Sequence, residues 1–146
     1  MSIQIIDNGH AELDLEKIKE FMADSPWQSG IGEETLNRAI QHSICFSAIS
    51  ENKHVGFARV VTDKATFAWI DDVYVDSTFR RQGIAKKLIE AIINHAQLNS
   101  VASWFLSSSN PEARRVFNTF GFEPLAEERS KKLMARPKIQ NESYRT

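Results

Sequence analysis

Cysteine is almost missing from this chain: Cys45 is the only one among 146 residues. An intrachain disulfide is therefore excluded, and at this length a single hydrophobic core needs neither disulfides nor metals to hold it. Long apolar runs are missing too, since no uninterrupted stretch approaches the roughly 18 residues that a membrane helix requires. The first residues lack the basic segment, apolar run and small-residue cleavage site of a secretory signal, so a cytoplasmic protein is expected. An excess of either charge is also lacking. Lysine and arginine total 18 against 19 acidic residues, a formal net charge of −1, which steers the chain toward neither nucleic acid nor an anionic membrane. No repeat and no linker divides the sequence, so residues 1–137 read as one domain with one site and 138–146 as a polar, loose tail.

What the balanced total hides is a local concentration. Arg80, Arg81, Lys86 and Lys87 lie within eight residues around Gly83. A cluster this short suits an anionic small molecule rather than a long polyanion.

Periodicity supplies the framework. Ile3 and Ile5 before Asp7-Asn8-Gly9 suggest a short first strand, and Leu15, Ile18, Phe21 and Met22 share one face of a helix. The turn-rich segment Ser25 to Gly32, with Trp27 as its one large aromatic, reads as an ordered loop. A second helix is expected over Glu33 to Ser43, with acids in its first turn where they suit the helix dipole. Ile44–Ser50, His54–Val61 and Thr66–Val75 are rich in β-branched and aromatic residues and read as three strands. Ile84, Leu88, Ile89, Ile92 and Ala96 then recur at helical spacing from Gly83 to about Leu98. Ala102–Ser107 reads as another strand. Asn110-Pro111 supplies an N-cap with proline at the first helical position, Ala113, Val116, Phe117 and Phe120 line the next helix, and Gly121 ends it. Phe122–Leu125 and Lys131–Ala135 are expected as closing strands. This order of elements predicts an α/β domain of the α+β type on a mostly antiparallel sheet.

The informative junction is the one where a strand ends, basic residues and a glycine follow, and a helix begins. A helix N-terminus presents amides without intrahelical partners and a partial positive charge, and so can hold phosphate oxygens. Gly83 lets the backbone approach such a ligand closely, Ala85 keeps the first turn uncluttered, and the neighbouring cations add attraction. The segment does not have the G-x-G-x-x-G spacing of a dinucleotide-binding unit and follows antiparallel-type strands, which argues against an oxidoreductase.

Arg80, Gly83 and Ala85 match the signature of the GNAT acyltransferase superfamily: Arg or Gln, two residues, Gly, one residue, then Gly or Ala. Val73-Tyr74-Val75 ending the preceding strand, the two-helix insertion after the first strand, and the series Asn110, Ala113, Phe117, Gly121-Phe122 extend that resemblance over most of the chain. The resemblance implies a splayed central strand pair flanked by helices, with acetyl-CoA as acyl donor and no metal. Its pantetheine arm would pair with the backbone of Val73, Tyr74 and Val75, and its pyrophosphate would sit on the turn of Arg80, Arg81, Gln82, Gly83, Ile84, Ala85 and Lys86. Asn110 and Phe117 would approach from the next helix. The activity implied is direct transfer of an acetyl group to a primary amine of a small molecule or peptide, within a ternary complex. Relatives often pair through sheet edges or C-terminal strands, so a homodimer is compatible with the resemblance.

Such a transfer needs a group to take the proton of the amine and a donor to hold the oxyanion. Asp71 and Asp72 are the candidates for the base. Adjacent strand residues point to opposite faces, so the two form no dyad in regular geometry, although a bulge would redirect them. Trp27 would form one wall of the amine pocket or anchor its loop to the core. Many relatives carry a tyrosine where this chain has Phe117, and phenylalanine donates no proton. That substitution favours an alternative of another class, a catalytically degenerate acyl-CoA-binding regulatory module. His42, His54 and His95 read as surface or structural residues, and Cys45 as inert core.

Overall fold

A computed structural model describes residues 2–137 and 142–146 of the chain. Five strands form one sheet in sequence order: β1 (Gln4–Asp7), β2 (Ile44–Ser50), β3 (Lys53–Thr62), β4 (Phe67–Val75) and β5 (Ser103–Leu106). The first four are antiparallel to their neighbours, and β5 runs parallel to β4. A parallel partner needs a crossover, and α3 (Ile84–Ile93) provides it. Helices α1 (Leu15–Asp24) and α2 (Glu33–Gln41) separate β1 from β2, while α4 (Pro111–Thr119) and the short α5 (Glu127–Ser130) follow β5.

Strand alternation divides the core into two layers. Phe46, Ala58, Val60 and Ile70 face Ile84, Leu88, Ile89 and Ile92 of α3. Cys45, Phe57 and Tyr74 face the other way, against Ile18, Phe21 and Met22 of α1 and Leu36 and Ile40 of α2. Each of the larger side chains contributes about 1.5–3 kcal/mol on burial. Gly56 sets how closely α3 approaches the sheet. A Cβ there would lie 3.2 Å from both Ile84 Cγ2 and the Tyr74 carbonyl oxygen, so the first residue of α3 rests directly on the strands.

Helix ends follow the chemistry of their caps. Asp14 accepts from the Lys17 amide at 3.1 Å to start α1, and Asn110 accepts from Glu112 and Ala113 at 2.9 and 3.3 Å to start α4. α3 stops at Ile93 rather than near Leu98, because Asn94 caps it and turns its Nδ2 onto the Glu90 carbonyl at 3.0 Å. Leu98 still reaches the core through the turn that follows.

Three expectations change. The closing strands Phe122–Leu125 and Lys131–Ala135 do not form; α5 lies between them and Leu133 and Met134 are exposed. Pro124 has no amide to donate to a ladder, and adjacent Leu133 and Met134 would face opposite sides of a strand, giving neither side an apolar stripe. The last residues are not loose: the Gly32 amide donates to the Tyr144 carbonyl at 3.1 Å and the Glu34 amide to Thr146 O at 2.9 Å. Residues 138–141 of the expected tail lie outside the described residues.

Candidate active site

The splay comes from the register of β4 and β5. They pair from Phe67 with Ser103 to Ile70 with Leu106, and there the pairing stops. Beyond it, the β5-facing edge of β4 from Asp71 to Val75 has no strand neighbour among the described residues. Only alternate residues of this stretch direct their backbone donors and acceptors to that open edge, where an extended amide-bearing ligand can pair with them. Val73, Tyr74 and Val75 lie on this stretch of β4.

At the end of β4 the chain passes through a 3-10 turn (Ser77–Phe79) and enters α3. Arg81 and Gly83 have φ of +63° and +79°, and Gly83 is the N-cap. The first helical bond from this turn runs from the Lys87 amide to the Gly83 carbonyl at 3.1 Å. The amides of Ile84, Ala85 and Lys86 therefore precede the helical ladder and suit an anion. Nothing lies within 4 Å of where a Gly83 Cβ would stand, so the space over the turn is open for a ligand. Gln82 and Lys86 are exposed beside it.

The two arginines have structural duties as well. Arg80 donates from Nε to the Val75 carbonyl at 2.9 Å and holds its guanidinium 5.5 Å from the centre of the Tyr74 ring, bracing the turn against β4. Arg81 pairs with Glu112 of α4 at 3.2 Å on the exposed surface. Asn110 spends its side-chain oxygen on capping α4, and Phe117 is buried in the α3-side core, edge-on to Phe122.

The aspartate pair sits at a β-bulge. Phe57 pairs with Tyr74 and Arg59 with Asp71, so β3 contributes Ala58 alone opposite Asp72 and Val73. Asp72 absorbs the extra residue with a φ of +53°, a conformation that aspartate tolerates better than most residues. Both carboxylates consequently converge on one guanidinium. Arg59 donates from Nε to Asp72 Oδ2 at 2.8 Å and from Nη2 to Asp71 Oδ2 at 3.3 Å, and its Nη1 reaches Ser43 Oγ at 3.2 Å.

Beyond that shared arginine the two differ. The Asp72 side chain is 1% exposed, and its Oδ1 accepts from Trp27 Nε1 at 3.1 Å and Gln28 Nε2 at 3.2 Å. It ties the loop between α1 and α2 to the centre of the sheet. The Asp71 side chain remains 38% exposed. Burial and then the like charge of Asp72 raise its pKa, outweighing the Asp72 amide and Arg59, which lower it. A solvent-reachable carboxylate of raised proton affinity beside the open edge of β4 is suited to accept a proton. Trp27, half exposed, lies on the same network, which anchors its loop to the sheet.

Other nucleophiles and acids fit less well. Burial pushes the Cys45 thiol up to about 12. Burial, followed by its hydrogen bond to Asp24, pushes the Tyr74 hydroxyl up to about 12. His95 is turned to Asp7 at 3.4 Å, away from this cleft, with its Nδ1 accepting from the Gln97 amide. Sequence reasoning passed over Arg59, Gln28 and Ser43. The signal for Arg59 was a lone cation at an inward position of an apolar strand; Gln28 and Ser43 carried none.

Comparison with known proteins agrees with this fold. The family model described as the Acetyltransferase (GNAT) family matches residues 14–122. A [Ribosomal protein bS18]-alanine N-acetyltransferase of Haemophilus ducreyi is 28% identical over 104 residues, covering 68% of each chain. The crystal structure of a Xanthomonas campestris pv. campestris protein belonging to the GNAT family is 31% identical, covers 93% of both chains and superposes with a TM-score of 0.83. A Clostridium acetobutylicum protein solved with acetyl-CoA is 15% identical, with 86% of this chain and 93% of that one covered, and shares the fold at a TM-score of 0.65. A five-stranded mixed sheet that splays after Ile70, a left-handed glycine opening α3, and a family match over most of the chain lead to one assignment: the chain belongs to the GNAT acetyltransferase family.

Proposed function

We propose that the protein is an N-acetyltransferase that moves an acetyl group from acetyl-CoA to a primary amine of a small molecule or peptide, directly within a ternary complex. The observation that carries this reading is the convergence of three features at one end of the sheet. These are the open edge Asp71–Val75, the anion-binding turn of Gly83 to Lys86 and the raised carboxylate of Asp71. The amides of Gln82 to Lys86 would hold the pyrophosphate, with Arg80, Arg81 and Lys86 around it, and the backbone of Val73, Tyr74 and Val75 would pair with the pantetheine amides. Asp71 takes the proton from the ammonium group, and the neutral nitrogen attacks the thioester carbonyl. The C–N bond forms, the nitrogen gives up its second proton to water, and the C–S bond breaks, with coenzyme A leaving as the thiolate or taking a proton from water. Asp72 holds the acceptor-side loop instead of exchanging protons.

The Haemophilus relative acts on an alanine amine of a ribosomal protein, which supports a peptide terminus as one acceptor class to try first. Phe117 favours the second reading, a degenerate acyl-CoA-binding module, because it puts a buried phenyl ring where many relatives have a proton donor. Calorimetric titration with acetyl-CoA, followed by a thiol-release screen against peptide and small-molecule amines, separates the two. Binding with amine-dependent release supports the enzyme and binding without release the module. Absence of binding would sink both.

A further inference from the structure

Residues 142–146 dock on the loop that carries Trp27, and the contact is built rather than incidental. Gly32 and Glu34 donate their amides to Tyr144 O and Thr146 O, at 3.1 and 2.9 Å, at the start of α2. A Cβ on Gly32 would lie 2.1 Å from the Thr146 carbonyl carbon and 2.3 Å from that of Arg145, so only glycine lets this segment lie where it does. The backbone at Gly32 is extended, with φ −81° and ψ 162°, which any residue can adopt. The requirement for glycine is therefore steric and set by the docked segment alone.

The Tyr144 hydroxyl donates to Gln28 Oε1, which fixes the orientation of that amide and turns Nε2 toward Asp72 Oδ1 at 3.2 Å. Asp72 also holds Trp27 at 3.1 Å and, through Arg59, faces Asp71. A continuous series of hydrogen bonds thus links Tyr144 through Gln28, Asp72 and Arg59 to the candidate base, with Gln28 and Arg59 both donating to Asp72 and Arg59 also donating to Asp71.

We propose that the 142–146 segment is a strap that sets the acceptor side of the site, with Tyr144 a positioning residue for Trp27. The positioning part of this proposal rests on the acetyltransfer reading above; the coupling of strap to loop does not. Without the strap, Gln28 loses the partner that orients it, and the indole of Trp27 is held by Asp72 in a loop no longer fastened at Gly32.

The test follows the Trp27 indole N–H by 15N NMR, assigned with Trp27→Phe, in Tyr144→Phe, in Gly32→Ser and in a chain shortened to residue 141. Serine keeps the capping ability that α2 needs while restoring the Cβ that displaces the strap. Each variant should speed solvent exchange of the Trp27 indole several-fold and leave Trp69 and Trp104 unchanged, and Gly32→Ser should add nothing in the shortened chain. With any amine accepted in the thiol-release assay, KM for the amine should rise with little change in kcat or in calorimetric affinity for acetyl-CoA. An unaltered Trp27 indole in Tyr144→Phe, or a Gly32→Ser effect that persists in the shortened chain, overturns the strap. An altered indole with an unchanged KM overturns the positioning role. Failure of the unmodified chain to bind acetyl-CoA overturns the acetyltransfer reading and leaves the indole result to decide on the strap.

Discussion

Asp71 and Asp72 are neighbours in sequence and share Arg59, yet replacing each with asparagine should have opposite consequences. Asparagine is the informative substitution because Asp72 sits at φ +53°, which asparagine tolerates and alanine does not. Asp72 is 1% exposed and accepts at 2.8 Å from a guanidinium that is itself 11% exposed. Removing its charge weakens a buried charge-assisted pair and places an amide donor among three donors, a loss of about 1.5–3 kcal/mol. Asp72→Ala, which leaves Arg59 without its main partner, should cost about 3–5 kcal/mol. Asp71 is 38% exposed and lies 3.3 Å from the same arginine, so its ion pair contributes only about 0–1 kcal/mol. Ionising Asp71 also carries a cost. Its pKa is raised on folding, so its charged form disfavours the folded state as pH rises from the ordinary value through the folded one, and Asp71→Asn escapes that penalty at neutral pH. Turnover should fall about 100- to 10,000-fold in Asp71→Asn, the span typical of a lost general base. Urea unfolding and amine-dependent thiol release, run on the same preparations, measure both. The assignment of roles is wrong if Asp71→Asn unfolds as readily as Asp72→Asn, or if it turns over normally.

The pH dependence gives a second check on the same pair. Turnover under kcat/KM conditions should have an acidic limb above the ordinary carboxylate range, since the base acts deprotonated, and Asp72→Asn should move that limb to lower pH by removing a like charge. Gly83→Val should weaken acetyl-CoA binding at least about tenfold in calorimetry, because a β-branched residue at φ +79° strains the turn by about 1–3 kcal/mol and covers the amides. Leu88→Ala, at a fully buried position between α3 and the sheet, should lower unfolding free energy by about 2–5 kcal/mol in urea. Cys45→Ser should retain turnover, and native Cys45 should resist iodoacetamide, since its thiol is buried and pushed up to about 12.

The parts of this fold that were legible in the sequence are those written as a period. β2 begins and ends where its β-branched and aromatic run does, and α2 covers Glu33–Gln41, within two residues of the expected helix. The Asn110-Pro111 cap and the Gly83 junction were legible because each has a local stereochemical reason. The segment after Gly121 was not, because whether Lys131–Ala135 becomes a strand depends on a partner edge that the segment does not encode. The strap escaped for the opposite reason: its composition is polar, and what docks it is a pair of backbone amides and a missing Cβ at Gly32, over a hundred residues away. The bulge is the more instructive case. Alternation places Asp71 and Asp72 on opposite faces, and only the two-against-one pairing opposite Ala58 turns both toward Arg59. Asp72 can then be buried because Arg59, Trp27 and Gln28 satisfy it. Burial, and then the like charge of Asp72, raises the proton affinity of Asp71 beside the open edge of β4. A one-residue irregularity, invisible as a pattern, thus converts two equivalent carboxylates into a structural anchor and a candidate base.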